Sequence, residues 1–353
     1  MQTKTFLGAL FFLLAAAQPA SGQSTNATRL FSDETPLTVT LEAPLSTLVQ
    51  RAARNTDAHP ATLTLLGDNN QSQSFPLQIS ARGLTRRTGN ICDFPPLRLD
   101  FQRSAMRGTL FEGQNRLKLV THCKAAASYE QLAVLEYTVY RLYNAITPAS
   151  FRVRPATITY RDNEGRRGDV TRFGFVIEDV DDMARRNGRV ELETASQAVN
   201  SQQLDPEGAA VLALFQYMIG NLDWDALAGP DPAECCHNTR LIARRGASSG
   251  HLSSPYDFDY SGFVDAPYAT PPDSIRISSV RVRRYRGYCR HNDALPGAAE
   301  IFRQRRAALQ AIIAGETRLS EGSRRNASRY IDSFFATLDN PQAFQREFID
   351  RCR

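Results

Sequence analysis

The sequence predicts an α+β protein with two lobes, a β-rich first lobe that contains one helix and a mostly helical second lobe. One observation is a period-two alternation of apolar and polar residues that recurs through the first half of the chain. The others are a single amphipathic segment within that half and apolar residues at helical spacing in the second half. A chain of 353 residues, 42% of them hydrophobic, can bury a core of this kind beside a cleft between lobes.

The alternation predicts the strands of the first lobe. In the segment 37–41, with the sequence LTVTL, leucine and valine alternate with threonine. This period is typical of half-buried antiparallel strands, and β-branched residues favour them. Six further strands are predicted for the same reason, over 61–65, 76–80, 96–101, 116–120, 156–160 and 173–178.

The helices are predicted from capping residues and apolar spacing. Ser128 and Gln131 have the spacing of a capping box at the start of a helix over 128–144, which carries one apolar face. Apolar content and spacing also predict a helix over 208–221, a strand over 239–244 and a mostly helical tail from residue 298.

The first residues have the pattern of a secretory signal peptide. Lys4 precedes an apolar run over 6–17 that is too short to span a bilayer, and small residues at 20–22 offer a cleavage site. We therefore expect an exported protein, periplasmic or extracellular, without a later membrane span. The predicted divisions are a signal peptide over 1–22, a disordered leader over 23–34, a β-rich lobe over 35–180 and a helical lobe over 181–353.

Six cysteines in an exported chain favour disulfides over metal ligands. Cys92 and Cys123 are the natural pair of the first half. We expect the adjacent Cys235 and Cys236 to bond not to each other but to the two remaining cysteines, Cys289 and Cys352. Zinc binding by Cys235, Cys236 and His237 is the alternative, although adjacent ligands lack the usual spacing of such sites.

Lys118 and Glu136 are the first candidate functional residues. Lys118 lies in the middle of an otherwise apolar strand, and Glu136 lies at the edge of the apolar face of the helix over 128–144. A carboxylate removed from water is costly unless a cation meets it, so we expect an ion pair between the two. The alternative is that both side chains reach solvent from the edges of their elements.

Three polar motifs follow in the second lobe. They are a loop that carries Asp223, the pair His237-Asn238, and the sequence Asp257-Phe258-Asp259. Asn238 begins the strand over 239–244, and Asp257 lies just after the return strand of the same hairpin, so we expect antiparallel pairing to bring the two to one end. Each alone reads as an ordinary polar turn. Together with Lys118 and Glu136 they provide the parts that phosphoryl transfer needs, which are a lysine–glutamate pair, a positioning base, and an asparagine and an aspartate for a metal ion.

In this order the residues resemble the atypical protein-kinase-like family of spore-coat-protein-H (CotH-like) type. The resemblance runs over about 62–263, is best at His237-Asn238 and at the Tyr-Asp-Phe-Asp sequence 256–259, and implies a two-lobed kinase-like fold. It implies ATP and Mg²⁺ or Mn²⁺ as cofactors. The departures are the long insertion between Asp223 and Asn238 and the lack of a glycine-rich loop of kinase type.

The resemblance also implies roles for individual residues. Asp223 is the implied catalytic base, with Asp225 as its alternative, and Lys118 and Glu136 are the implied phosphate-binding pair. Asn238 and Asp257 are the implied metal ligands, with Asp259 as a third or alternative one. Arg82, Arg87 and Glu178 complete the implied nucleotide site. Arg82 and Arg87, with Arg86, would bind phosphate in place of a glycine-rich loop, and Glu178 lies in the hinge segment 175–180.

The expected partners are a nucleotide and an unknown phosphoacceptor. The net charge of +5 is too modest to favour nucleic acid as a partner. One rival hypothesis is a catalytically silent binding module, because ATP is scarce outside the cytoplasm. A second is a metal-dependent phosphoesterase built on Asp223, His237, Asp257 and Asp259, which has no use for Lys118 or Glu136.

Overall fold

Seven strands of the chain close into a barrel. The computed structural model describes residues 27–67, 71–192, 199–229 and 235–353, so the predicted signal peptide lies outside the described residues. The barrel strands are β1 (Leu37–Ala43), β2 (His59–Leu66), β3 (Ser72–Ala81), β4 (Leu97–Phe101), β5 (Arg116–Val120), β6 (Val153–Asp162) and β7 (Val170–Ile177). Their order around the barrel is β1-β2-β3-β4-β5-β7-β6.

The barrel closes where β1 pairs with β6 in parallel, with Leu37 opposite Ala156. The other pairs of neighbouring strands in the barrel are antiparallel. Leu41, Ile79 and Leu97 are fully buried in its interior. The predicted alternation therefore gave the strands correctly, since their inward residues fill one apolar core.

The remaining elements are mostly helical. The helices are α1 (Leu45–Arg51), α2 (Ala127–Ile146), α3 (Val180–Arg186), α4 (Pro206–Ile219), α5 (Leu295–Gly315), α6 (Glu321–Asp339) and α7 (Pro341–Phe344). Short β8 (Val190–Glu191), β9 (Thr239–Ala243) and β10 (Leu252–Pro255) form a second sheet in the order β10-β9-β8.

The two-lobed kinase-like fold predicted from the sequence is wrong. The chain forms a closed mixed barrel rather than an open sheet lobe, and α2 lies between the barrel and the C-terminal helices. One hydrophobic core joins Phe175 of β7, Tyr137 of α2 and Phe302 of α5, across the boundary predicted at residue 180. Strand periodicity predicts which side chains face the core, but it does not predict which strands pair. The pairing of β1 with β6 that closes the barrel could therefore not be predicted from the sequence pattern.

Two local expectations also fail. The helix α2 begins at Ala127 without a side-chain cap, because Gln131 instead accepts from the backbone N–H of Ser320 and donates to the carbonyl of Arg318. The predicted leader is ordered from residue 27 onward, since Leu30 and Phe31 are buried against the barrel.

The six cysteines form three disulfides, as the sequence predicts. Cys92 bonds Cys123, and Cys289 bonds Cys352. The expected cross-links from Cys235 and Cys236 are wrong, because these two bond each other. Within the described residues no helix combines the length and the apolar character that crossing a membrane requires. The disulfides are compatible with an exported protein.

Gly174 tests the packing of the barrel wall. A Cβ at this position would lie 2.7 Å from the backbone oxygen of Val120 and 2.8 Å from Cδ1 of Ile158. We expect Gly174→Ala to lower the free energy of unfolding by roughly 1–3 kcal/mol, because backbone cannot move aside cheaply. Urea unfolding measures it. The control is Gly168→Ala, where the added carbon meets nothing within 4 Å, and equal losses in both variants would contradict this account of the wall.

Candidate metal and phosphate site

Three carboxylates from separate parts of the chain meet between the barrel and the helices. Glu136 comes from the middle of α2, and Asp257 and Asp259 from the loop that follows β10. Each offers one oxygen, and these oxygens all lie within 4.8 Å of one another. We call these three residues the carboxylate cluster.

Arg86 holds the carboxylate cluster together. It lies in the 3₁₀ turn Thr85–Arg87, after β3, and its side chain is only 8% exposed. Nη1 lies 3.2 Å from Oε2 of Glu136, Nη2 3.1 Å from Oδ1 of Asp257 and Nε 3.2 Å from Oδ2 of Asp259. Each nitrogen of the Arg86 guanidinium therefore contacts a different carboxylate, and it contacts only one oxygen of that carboxylate. The second oxygen of Glu136, Oε1, is buried without a hydrogen-bond partner.

Apolar packing fixes the loop that carries the two aspartates. Phe258, between them, is fully buried, and its ring lies 4.7 Å from that of Tyr140 in α2. The backbone N–H of Asp257 donates to the Tyr140 hydroxyl oxygen at 3.0 Å. The Asp-Phe-Asp sequence therefore anchors the loop through its central ring and leaves both carboxylates for the cluster.

The cluster carries more negative charge than one guanidinium neutralises. Burial raises the pKa of Glu136 and of Asp259, and although Arg86 opposes the shift, the neighbouring carboxylates add to it. Burial alone would also raise the pKa of Asp257, but Arg86 and Arg82 outweigh it and hold that pKa below its usual value. Burial raises the pKa of Glu136 to about 8, so near pH 7 this carboxyl is protonated, and the two aspartates against Arg86 leave a formal charge of −1. A divalent cation would offset that charge and favour the ionised form of Glu136.

A second group of polar residues adjoins the cluster. Asp223 lies in the loop after α4, and its Oδ1 is 2.6 Å from Nε2 of His237. The side-chain amide of Asn238 donates to Oδ2 of Asp223 at 2.9 Å. The hydrogen bond with Asp223 raises the pKa of His237, and Asp257 contributes to the rise. The Asp223 group and the carboxylate cluster are therefore electrostatically coupled.

The hairpin of β9 and β10 brings Asn238 and Asp257 to the same end, as the sequence predicts. Pro255 pairs with Thr239, and the backbone N–H of Tyr256 donates to the carbonyl of Asn238. Asn238 and Asp257 adopt positive φ values of 48° and 63°. Asparagine and aspartate tolerate this left-handed conformation better than most residues do.

Arg286 secures the loop that carries Asp223. Its Nη1 donates to the carbonyl oxygens of Leu222 and Trp224, each at 2.6 Å, and these two residues flank Asp223. Its Nη2 lies 3.3 Å from Asp225, which also pairs with Arg353. Asp225, the alternative to Asp223 in the sequence, thus serves to bind these arginines.

Lys118 faces out of the barrel toward the site. Its neighbours Leu117 and Leu119 are buried in the barrel core, so the side chain between them points the other way. Nζ lies 4.0 Å from the centre of the Tyr256 ring.

The environment of Lys118 disfavours its charge. Burial, with Arg82 and Arg240 nearby, lowers the pKa of Lys118 to about 7, although Asp257 opposes the shift. The guanidinium of Arg240 also lies near the Tyr256 ring, at 5.6 Å. Lys118, Arg82 and Arg240, which we call the cationic patch, therefore repel one another beside the carboxylate cluster.

Some predicted contacts do not form. Glu136 pairs with Arg86, and the expected ion pair with Lys118 is absent. Arg87 donates to the backbone oxygens of Gly83 and Ala52 instead of facing the site.

Glu178 also lies outside the site. Its side chain is fully buried in an ion pair with Arg186, at 2.9 Å, and it accepts from the backbone N–H of Arg152. A hinge role in nucleotide binding does not fit a carboxylate committed in this way.

Sequence reasoning considered Arg86 only as a phosphate ligand and missed its central position. The signal available was three arginines close together between two strands, at 82, 86 and 87. Arg86 and Arg87 are consecutive residues of one 3₁₀ turn and therefore point in different directions, and no sequence pattern shows which arginine faces inward. Comparison of the sequence with known protein families and with characterised proteins finds no match.

Arg86→Met tests whether the cluster depends on one cation. We expect it to lower the free energy of unfolding at pH 7.5 by about 3–5 kcal/mol, because buried carboxylates lose their partner. In this variant the folded state holds its carboxyl protons to higher pH than the unfolded chain does, so the loss should shrink as pH falls toward 5.5. Urea unfolding with a chelator present measures both values. Arg87→Met is the matched control, and an equal, pH-independent loss in both variants would contradict the interpretation.

Lys118 predicts a distinct pH dependence of stability. Its pKa is about 7 in the folded chain, whereas the ordinary pKa of a lysine is 10.5, so the unfolded chain binds more protons between those limits. The free energy of unfolding of the parent should therefore rise relative to Lys118→Met as pH increases from about 7 to 9.5. Paired urea titrations measure the difference. Lys124→Met provides the control, and a difference that stays flat or falls with pH would refute the depressed pKa.

Proposed function

We propose that this protein is a metal-dependent phosphotransferase that takes ATP as donor and works outside the cytoplasm. The observation that carries the proposal is the juxtaposition of the carboxylate cluster with the cationic patch. The carboxylate cluster has an excess of negative charge, and the cationic patch contains Lys118, whose charged form is disfavoured by its neighbours. A complex of a divalent cation with a polyphosphate would satisfy both at once, since the metal suits the carboxylates and the phosphates suit the cations.

The metal ligands in this proposal are Asp257 and Asp259, with the side-chain oxygen of Asn238. Arg86 engages only one oxygen of each aspartate, and the Tyr268 hydroxyl also hydrogen-bonds Asp259, so the second oxygen of Asp257 is the more open to a cation. The amide nitrogen of Asn238 is directed at Asp223, so its oxygen remains for a ligand. Hard oxygen donors of this kind suit Mg²⁺ or Mn²⁺, which complete their shell with water and phosphate oxygens. Glu136, through Arg86, orients the two aspartates.

Asp223 is the base in this mechanism. The acceptor hydroxyl gives its proton to Asp223 as its oxygen bonds to the terminal phosphorus of ATP. The bond from that phosphorus to the bridging oxygen breaks, and ADP leaves with the electron pair. His237 and Asn238 hold the Asp223 carboxylate in place through its two oxygens. Lys118 and Arg82 stabilise the phosphate charge. The acceptor is a protein or a small molecule with a hydroxyl group.

The contact between Asp223 and His237 favours a second candidate, a metal-dependent phosphoesterase. In this reaction water gives a proton to Asp223 as its oxygen bonds to the phosphorus of a phosphate monoester, and the bond from that phosphorus to the ester oxygen breaks. The protonated His237 gives its proton to the leaving alcohol, and the proton on Asp223 then returns to His237, 2.6 Å away. The raised pKa of His237 keeps it protonated to higher pH than an unpaired histidine. This activity needs neither ATP nor Lys118.

Ligand-dependent stability tests the phosphotransferase. We expect MnATP to raise the melting temperature of the parent by a few degrees, and ATP alone to raise it less, because ligand binding stabilises the folded state by mass action. In Asp257→Asn, a substitution that suits the positive φ, the rise in melting temperature should no longer depend on the metal.

Lys118→Met should weaken the binding of MnATP and leave the binding of free Mn²⁺ unchanged. Asp223→Asn should still bind MnATP but release ADP about 10² times more slowly, or slower still.

The control for the aspartate variants is Asp169→Asn, an exposed carboxylate on the hairpin between β6 and β7. Hydrolysis of p-nitrophenyl phosphate, measured beside ADP release, separates the two candidates. Metal-dependent hydrolysis that survives Lys118→Met, without any response to ATP, would replace the phosphotransferase with the phosphoesterase. Parent-like MnATP binding by Asp257→Asn would show that the metal site is misplaced.

A further inference from the structure

Arg353 contacts the loop that carries Asp223 and the segment beside it. Its Nη1 lies 2.9 Å from Oδ2 of Asp225, and its Nε donates to the carbonyl of Arg286 at 3.0 Å. Its Nη2 donates to the Tyr288 hydroxyl at 3.0 Å. The side chain is 34% exposed, so Arg353 lies at the surface and not in a core. One surface guanidinium therefore holds three groups around the proposed base.

Two of these contacts lead to the Asp223 carboxylate. The backbone of Asp225 pairs with that of His237 in both directions, at 2.9 and 3.0 Å, and Nε2 of His237 lies 2.6 Å from Oδ1 of Asp223. Arg286, whose carbonyl accepts from Arg353, donates to the backbone on both sides of Asp223. Arg353 thus supports both neighbours that fix the Asp223 carboxylate, without contacting that carboxylate itself.

A disulfide keeps Arg353 in this place. The preceding residue, Cys352, bonds Cys289. The backbone N–H of Arg353 donates to the carbonyl of Gly287 at 2.8 Å, and its carbonyl accepts from the N–H of Cys289 at 3.0 Å. An exposed ion pair is weak alone, because ordering a long side chain costs entropy. The cross-link removes much of the chain entropy that would otherwise oppose these contacts.

The disulfide that anchors Arg353 is accessible to thiol chemistry. Cys289 is exposed and Cys352 is half-buried, whereas Cys92 and Cys123 are only 4% and 5% exposed. When a small disulfide oxidises the Cys289 and Cys352 thiols, two electrons and two protons pass to that oxidant, which becomes two thiols. Such bonds persist outside the cytoplasm, and thiols stay reduced within it.

We propose that Arg353 is a positioning residue for Asp223, and that formation of the Cys289–Cys352 disulfide switches phosphoryl transfer on by holding Arg353 against the Asp223 loop. This inference rests on the proposed function and adds its regulation. The reduced chain would carry a loosely held base in the cytoplasm, where ATP is plentiful. The oxidised chain would have the base fixed only after export.

The chain contains its own reporter of this contact. Trp224 is its only tryptophan, directly follows Asp223 and is 2% exposed. The guanidinium carbons of Arg353 and Arg286 lie 5.9 and 5.6 Å from the centre of its ring. Indole emission moves to longer wavelength when the ring gains contact with water. Trp224 fluorescence therefore follows the loop without any assay of activity.

Arg353→Met tests the positioning role. Its Trp224 emission should move to longer wavelength and become more sensitive to acrylamide quenching. ADP release at saturating MnATP should slow by about 10- to 100-fold, because a small displacement of a catalytic group is enough for such a loss, while MnATP binding stays parent-like. Arg351→Met is the matched control, since Arg351 pairs with Glu347 at 2.6 Å, and it should change none of these measurements.

The disulfide is tested by serine substitution and by reduction. Cys289→Ser with Cys352→Ser should reproduce both effects of Arg353→Met. Cys92→Ser with Cys123→Ser, compared at a temperature where circular dichroism shows both variants folded, should not. Dithiothreitol should shift the emission of the parent but not that of the Cys289→Ser, Cys352→Ser variant. An equal shift in both would assign the response to another disulfide and overturn the switch.

The failure of this inference is distinguishable from the failure of the proposed function. Parent-like emission of Arg353→Met would refute the contact with the loop, whatever the activity. Parent-like ADP release by Arg353→Met, with an active parent, would refute the positioning role alone. Loss of MnATP binding together with ADP release would show a general structural role and would also overturn it. A parent that releases no ADP would refute the proposed function and, with it, the control of transfer.

Discussion

The contact between Arg86 and three carboxylates is the interaction on which the rest of the structure depends. One guanidinium from the turn after β3 joins α2 and the loop after β10, so the barrel, its covering helix and the small hairpin share a single buried centre. Such a network is expensive to desolvate and is stable only while each partner is present. Its value to the fold is positional, because the planar guanidinium presents its nitrogens in fixed directions and so fixes the directions of the carboxylates.

The same centre is left electrostatically incomplete on both sides. The negative charge of the carboxylates exceeds the positive charge of Arg86. Nearby, burial and two arginines lower the pKa of Lys118 and so favour its neutral form. A fold that only needed stability would bring these opposite charges into ion pairs, whereas here Lys118 lies over the Tyr256 ring, with Nζ 4.0 Å from the ring centre. Perturbed groups held near one another in this manner are typical of sites prepared for a ligand. The preparation extends outward, since Arg286 fixes the backbone on both sides of Asp223.

Sequence patterns predicted local elements well and their assembly less well. The alternation in 37–41 and 173–178 marked real strands, and the order of Asn238 and Asp257 along a hairpin predicted correctly that they meet at one end. The failures concern contacts between distant segments. The sequence predicts an ion pair of Glu136 with Lys118, because Lys118 lies on the preceding strand. In the structure Glu136 pairs instead with Arg86, fifty residues earlier in the chain. The barrel closure was missed for a similar reason, since periodicity does not encode which strand edges pair. The Cys235–Cys236 bond is a different failure, because the adjacency of the two residues was taken to exclude it.

The parallel pairing of β1 with β6 has a consequence for the order in which this chain can acquire its structure. Leu37 in β1 pairs with Ala156 in β6, which is synthesised more than one hundred residues later. During synthesis or export, β1 therefore lacks one of its two neighbouring strands until β6 is available. The hairpins β1-β2 and β2-β3 can form early, because their partners are adjacent in sequence. In the interval the far edge of β1 is an open row of backbone donors and acceptors, the kind of surface on which chains associate wrongly. The sixth strand covers that edge, but the barrel closes only when β7 pairs with both β5 and β6, so exposed strand edges persist until the seventh strand has formed.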